Sequence, residues 1–141
     1  MAEPAVDPVP TESLPTESVP TESVDGLIVG AGLSGIGAAA RLRAEHPELT
    51  VAVLEGRAAT GGTWDLFRYP GIRSDSDMYT LGYRWRPWRS DRAMATGGEI
   101  LDYLRATAEE HGVTELIRLE HRVVAASWDT ASARWTVRAE T

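Results

Sequence analysis

An α/β domain with a parallel sheet is the fold class this chain predicts, and three observations carry that prediction. A short apolar run, Leu27-Ile28-Val29, opens directly into Gly30-Ala31-Gly32-Leu33-Ser34-Gly35. A stretch of helical period follows the glycines. A second apolar run, Thr50 to Glu55, then ends on an acid. Strand, glycine loop, helix and strand in that order make a right-handed crossover between parallel strands.

The first strand is placed at Val24 to Val29, apolar on both faces like a central parallel strand; Gly26 weakens it slightly. The helix is placed at Leu33 to Glu45, with Leu33, Ile36, Gly37 and Ala40 inward and Arg41, Arg43 and Glu45 in water. Pro47 stops it. Thr50 to Glu55 is the second strand. Gly56 to Ala95 is a long irregular segment holding three of the five tryptophans, too aromatic for a disordered loop and long enough to be functional. A second amphipathic helix is expected over Gly98 to His111, with Ile100, Leu101, Leu104 and Ala108 inward and Gly112 ending it. Leu116 to Leu119 is a candidate third parallel strand. Arg122 to Trp128 and Arg134 to Ala139 alternate in period two around Asp129-Thr130-Ala131-Ser132, the pattern of a β-hairpin.

The glycine spacing has a chemical reading. Gly30 permits a tight turn out of the strand, Gly32 lets a pyrophosphate approach the backbone, and Gly35 lets helix and sheet pack closely. Unpaired amides at the helix start, with the Ser34 hydroxyl, suit an anion. Glu55 is placed to accept both hydroxyls of an adenosine ribose, and its charge repels a 2′-phosphate, so FAD or NAD fits better than NADP. Arg57 beside it is read as solvated. A glycine turn that binds nothing, or an ordinary acid at a strand end, would look the same in isolation. The predicted class is therefore a Rossmann-like FAD/NAD(P)-binding domain.

Composition narrows the partners. The chain has 141 residues and a net charge of −7, and residues 24–141 are expected to form one domain. Before it, residues 1–23 read as a disordered acidic tail, in which Pro-Thr-Glu-Ser-Leu/Val repeats in tandem from Pro10 onward. Six acids and no base precede Gly26, so the rest of the chain carries only −1. An acidic chain argues against nucleic acid, despite the alternating Arg84-Trp85-Arg86-Pro87-Trp88-Arg89. The absence of cysteine excludes disulfides and thiol ligands. His46, His111 and His121 lack metal-ligand spacing, so no metal site is expected. No apolar run is long enough to span a membrane and no signal peptide is read, so a cytoplasmic location is expected.

One stretch is more specific. Gly61-Gly62-Thr63-Trp64-Asp65-Leu66-Phe67-Arg68-Tyr69-Pro70-Gly71-Ile72-Arg73-Ser74-Asp75-Ser76-Asp77-Met78-Tyr79-Thr80-Leu81-Gly82-Tyr83 resembles the flavin-containing Baeyer–Villiger monooxygenases, above all their mycobacterial ethionamide-activating branch. The likeness extends from about Asp25 to Val137. It implies that Ser34 and Glu55 hold the pyrophosphate and ribose of FAD, and that Thr63, Trp64, Asp65 and Leu66, after Gly62, line the flavin-ward part. It further implies that Arg73, Ser74 and Asp75 touch NADPH, that Asp75 lies near the isoalloxazine, and that Val123 meets the adenine through its backbone. The implied reaction uses NADPH, FAD and O2 to oxygenate a ketone or thioether. Asp75 would be the catalytic carboxylate, orienting an arginine supplied by a later segment. For Asp75 and Asp77 the alternative is turn capping.

Three features of that family are absent: a second GxGxxG, the Phe-x-Gly-x-x-x-His-x-x-x-Trp fingerprint, and the segment that returns to complete the FAD sheet. The expectation is an N-terminal portion only, which needs a C-terminal portion for turnover and whose uncovered sheet edge makes it marginal and sticky. Two other readings remain: a non-catalytic FAD-binding remnant, and an NAD-binding subunit dependent on a partner chain.

Overall fold

The computed structural model describes residues 21–141, so most of the repeat tail expected over 1–23 lies outside the described residues. At its inner end, Glu22 forms a two-pronged ion pair with Arg118 (2.6 and 2.7 Å).

Strand β1 (Gly26–Val29) leads through the glycine loop into helix α1 (Leu33–Glu45), and β2 (Val51–Leu54) follows. Both strands are shorter than predicted. At the start of the pair, Asp25 and Thr50 are joined by reciprocal side-chain and backbone hydrogen bonds instead of ladder pairing alone. β1 and β2 are parallel, with Ile28 beside Val53 and Val29 beside Leu54. The predicted third strand is present but minimal: β3 (Ile117–Arg118), entered from a 3-10 turn at Thr114–Leu116, pairs parallel with β2. The order is β1-β2-β3, so β1 is an edge among the described residues and not the central strand expected.

The long segment after β2 contains two single-turn helices, α2 (Thr63–Leu66) and α3 (Met78–Leu81). Helix α4 (Gly97–Glu110) starts one residue earlier than predicted because Thr96 and Glu99 form a reciprocal capping box. Strands β4 (Arg122–Asp129) and β5 (Arg134–Glu140) form the expected antiparallel hairpin, with a register shift near Val123 to Ala125. Parallel strands, crossover helix and hairpin bear out the α/β class.

The core lies on one face of the sheet. Ile36, Ala39 and Ala40 of α1, Val53 of β2 and Ile100, Leu104 and Ala108 of α4 are buried together with Met78 and Val113. Arg43 is exposed, as predicted, and also donates to Gly112 O (2.9 Å), tying α1 to the end of α4. The aromatic residues of the irregular segment clamp α1 from the side. The Tyr83 hydroxyl donates to Leu33 O, and its ring stacks on Trp85 and Tyr103 at 4.7 and 5.7 Å. Burial chiefly drives the Tyr83 phenol well above its usual range.

Gly35 is needed for close approach. A Cβ there would collide with the carbonyl of Gly30, which sits in rigid backbone. Gly98, in the exposed first turn of α4, has open space around its would-be Cβ. Gly35→Ala should therefore cost about 3 kcal/mol or more. Gly98→Ala should add about 0.4–1 kcal/mol by restricting the unfolded chain. Denaturant titration of both variants against the parent checks this, and equal effects would contradict the packing described.

Candidate dinucleotide site

Three backbone segments converge where β1 and β2 end. The glycine loop is anchored by Gly30 N donating to Leu54 O (2.7 Å). The Gly61-Gly62 turn is anchored by Gly61 N donating to Ala31 O (2.9 Å). Gly62 and Gly32 lie back to back, so that a Cβ on Gly62 would come within 3.0 Å of Gly32 Cα. Gly61 and Gly62 both take positive φ, 119° and 54°, a conformation that other residues adopt only with strain. The turn can therefore reach the loop because both residues are glycine.

Glu55 closes the third side. It is 7% exposed, and its two oxygens each accept one backbone amide: Ala31 N at 2.8 Å and Arg57 N at 3.0 Å. A carboxylate oxygen has two acceptor positions, so both oxygens keep one for a ligand. The backbone amide of Glu55 continues the ladder to Arg118 O, and its carbonyl accepts from His121 N. This draws the start of β4, with Val123, towards the same end of the sheet. α1 begins at Gly32 with no side-chain cap, in contrast to the boxed start of α4. Its first-turn amides and the exposed Ser34 are the groups here that could hold an anion.

Other predicted residues fall differently. Asp65 is 2% exposed, and both oxygens of its carboxylate are taken by arginines. Its Oδ2 accepts from Arg57 (2.7 Å), and its Oδ1 accepts from Arg68 (2.9 Å) and Arg105 (3.0 Å). Thr63 and Leu66 are exposed, while Trp64 packs against the core. Ser74 is buried, and its hydroxyl is engaged with the backbone of Ala95. Both the Asp65 and the Ser74 side chains are thus buried and held by protein partners. Arg73 and Asp75 are exposed. Asp75 has no hydrogen-bond or ion partner among the described residues, whereas Asp77 caps α3 through Thr80 N (2.8 Å). The capping alternative thus holds for Asp77 and not for Asp75. The 73–75 segment is tied to residues 95–97, not to the glycine loop.

Sequence reading missed the role of Arg57. It is only partly exposed to water: its guanidinium donates to Asp65 and to Gly62 O (3.2 Å). Arg68 and Arg105 were also missed, although the i,i+3 spacing of Asp65 and Arg68 was a signal for the first. The Arg84–Arg89 run is used in packing: Trp85 stacks on Tyr83, Trp88 meets Tyr103 edge-on, and Arg86 forms a two-pronged pair with Glu110. A hollow of about 680 Å³ beside that run lies away from the glycine loop. Among the described residues no acid–histidine cluster suits a metal ion.

Burial alone would raise the Asp65 carboxyl, but the hydrogen bonds from Arg57 and Arg68 overcome it and hold it below the usual carboxylate range. A depressed folded-state value means the stabilisation is complete above the unfolded carboxylate range and disappears as pH falls through the folded value. Asp65→Asn should then cost roughly 2 kcal/mol at neutral pH, and the deficit should shrink in acid below about pH 4. Stability curves against pH for both proteins test it; a deficit independent of pH would deny the carboxylate its charge.

Comparison with known proteins agrees with this geometry. Residues 28–103 match the family model of the NAD(P)-binding Rossmann-like domain. The chain is 56% identical over 113 residues to the FAD-containing monooxygenase EthA of Mycobacterium tuberculosis, covering 80% of this chain and 23% of that protein. It is 51% identical over 116 residues to the probable FAD-binding monooxygenase AlmA of Acinetobacter baylyi, covering 82% and 23%. Among solved structures it resembles an oxidized steroid monooxygenase bound to NADP, with TM-score 0.77 and 35% identity over 84% of this chain and 23% of that one. Cyclohexanone monooxygenase in its closed form gives TM-score 0.72 and 28% identity over 86% and 24%. The likeness to monooxygenases expected from residues 61–88 is borne out, and the chain spans about 23% of the length of such relatives. The match over residues 28–103 takes in the glycine loop, the Glu55 carboxylate and the Gly61-Gly62 turn, and by it the chain belongs to the NAD(P)-binding Rossmann-like family.

Proposed function

We propose that this chain is the N-terminal FAD-binding portion of an NADPH- and O2-dependent monooxygenase that oxygenates ketones or thioethers. The observation that carries the reading is the Glu55 carboxylate, fixed by the Ala31 amide against the glycine loop with one acceptor position open on each oxygen. The loop amides and Ser34 would hold the pyrophosphate, Glu55 the adenosine ribose, and the β4 backbone at Val123 the adenine. The Gly62 turn with Thr63, Trp64 and Leu66 would follow the cofactor towards its flavin end. FAD, when bound, supplies the redox chemistry; these residues grip it and set its direction. The names of the relatives, FAD-containing monooxygenases, support this choice.

Asp75 is the candidate catalytic carboxylate. It is exposed and unpartnered among the described residues, free to orient an arginine from elsewhere in a complete enzyme. Arg73 beside it is the exposed base of the segment and the candidate contact for NADPH. Among the described residues no helix is long and apolar enough to cross a membrane. A chain without cysteine suits the reducing cytoplasm.

Titrating the purified chain with FAD tests the first claim: flavin fluorescence should be quenched on binding, and Glu55→Gln should weaken binding about tenfold through loss of a charge-assisted bond. Binding of NAD but not FAD, or equal FAD affinity in the variant, would overturn it. The catalytic claim needs the remaining sequence. Substituted for the matching segment of a full-length relative such as EthA, the chain should support NADPH-dependent oxygenation. Adding Asp75→Ala should leave FAD bound and abolish oxygenated product. Normal product from that variant would remove Asp75 from the mechanism.

A further inference from the structure

We propose that Asp65 is a positioning residue for the dinucleotide site, acting on the glycine cradle through Arg57 and not by touching the ligand; this rests on the FAD reading above. Arg57 spans the site. Its backbone amide donates to Glu55 Oε1, and its guanidinium donates to Gly62 O and to Asp65 Oδ2. One residue thereby connects the ribose-facing carboxylate to the turn that lies against Gly32. Its side chain is 36% exposed, so water competes for it, and a long flexible chain would otherwise sample many rotamers. Asp65 has no such alternative, because a carboxylate buried to 2% exposure must be paired.

The two oxygens of Asp65 divide the work. Oδ1 takes Arg68, three residues along and just past the end of α2, and Arg105, which fastens α2 to α4. Oδ2 takes Arg57 and so connects that fastening to the cradle. Arg68 also donates to the Asp65 carbonyl (3.0 Å) but makes no contact with Glu55 or Gly62. Removal of Arg57 and removal of Arg68 therefore have different consequences. Both loosen the ion cluster, and only the first frees the turn and the amide that hold Glu55.

The test compares Asp65→Asn, Arg57→Gln, their double variant and Arg68→Gln, all assayed for FAD binding well below their melting temperatures. Asp65→Asn and Arg57→Gln should each weaken FAD about tenfold, the double variant no further, and Arg68→Gln by less than about twofold. FAD affinity unchanged in Asp65→Asn, or lost equally in Arg57→Gln and Arg68→Gln, overturns the proposal. Should Asp65→Asn not fold, the contrast between the two arginine variants decides. Hydrogen exchange on the ligand-free proteins separates this claim from the FAD reading. The Arg57 and Gly61 amides should exchange about tenfold faster in Asp65→Asn and Arg57→Gln, with the β4–β5 hairpin unchanged. If the parent chain fails to bind FAD, the functional reading falls and these amides still judge Asp65: faster exchange upholds its positioning role, and unchanged exchange refutes it.

Discussion

The bond from the Ala31 amide to the Glu55 carboxylate is the contact on which the site depends. It joins residues 24 apart in sequence across the ends of two parallel strands. A carboxylate without it could swing into water. With it, the charge is fixed beside the uncapped start of α1, where backbone amides leave positive potential. An acid and an anion-binding helix start are adjacent, and that pairing suits a ligand that is hydroxyl-rich at one point and anionic at the next. Glycine makes the closeness possible at Gly35 and Gly62, where side chains would fill the space.

Two supports outside the loop keep this arrangement in place. On one side the Tyr83 hydroxyl holds Leu33 O, and its ring fills the space that a Cβ on Gly37 would need, 2.6 Å from Cε1. On the other side Asp65 of α2 gathers three guanidiniums: Arg57 after β2, Arg68 after α2 and Arg105 of α4. The segment between residues 56 and 95 has little regular structure, yet its aromatic and charged residues fix the cradle from both flanks. Arg57 gains meaning in this setting. A base beside such an acid is a natural partner for a 2′-phosphate, but here the Arg57 guanidinium is engaged by Asp65 and Gly62, which leaves the negative charge of Glu55 as the dominant one.

The periodic elements were legible in sequence because short-range forces set them. α1 was placed to the residue, and α4 to within one, since apolar spacing and flanking breakers specify both. Glycine spacing and a terminal acid likewise marked the cradle. What escaped was whatever depends on contacts between distant residues. Nothing local to Arg57 says that a buried aspartate eight residues on will hold it. Nothing local to Ser74 says that its hydroxyl turns inward to Ala95, which sits 21 residues away. The edge position of β1 escaped for a related reason: the run Leu27-Ile28-Val29 fixes which faces are apolar, and not what covers them.

That last difference has a physical consequence. Adjacent residues of paired parallel strands point to the same side, so Leu27 and Val29 share a face with Ala52 and Leu54, and Ile28 shares the opposite face with Val53. The Ile28 face meets α1 and the core. On the other face Ala52 and Leu54 are buried, while Leu27 and Val29 remain 36% and 64% exposed. At the start of the hairpin Arg122 approaches Gly56, and Arg134 acts on Asp25 electrostatically. Along β5, Val137 and Ala139 are partly covered, while Trp135, next in the same alternation, is 64% exposed and pairs only with Trp128 across the strands. On both β1 and the hairpin, apolar residues therefore extend onto exposed surface. The contacts that hold the site, from Ala31 to Glu55, from Gly61 to Ala31 and from Arg57 to Gly62 and Asp65, by contrast involve none of these exposed apolar side chains.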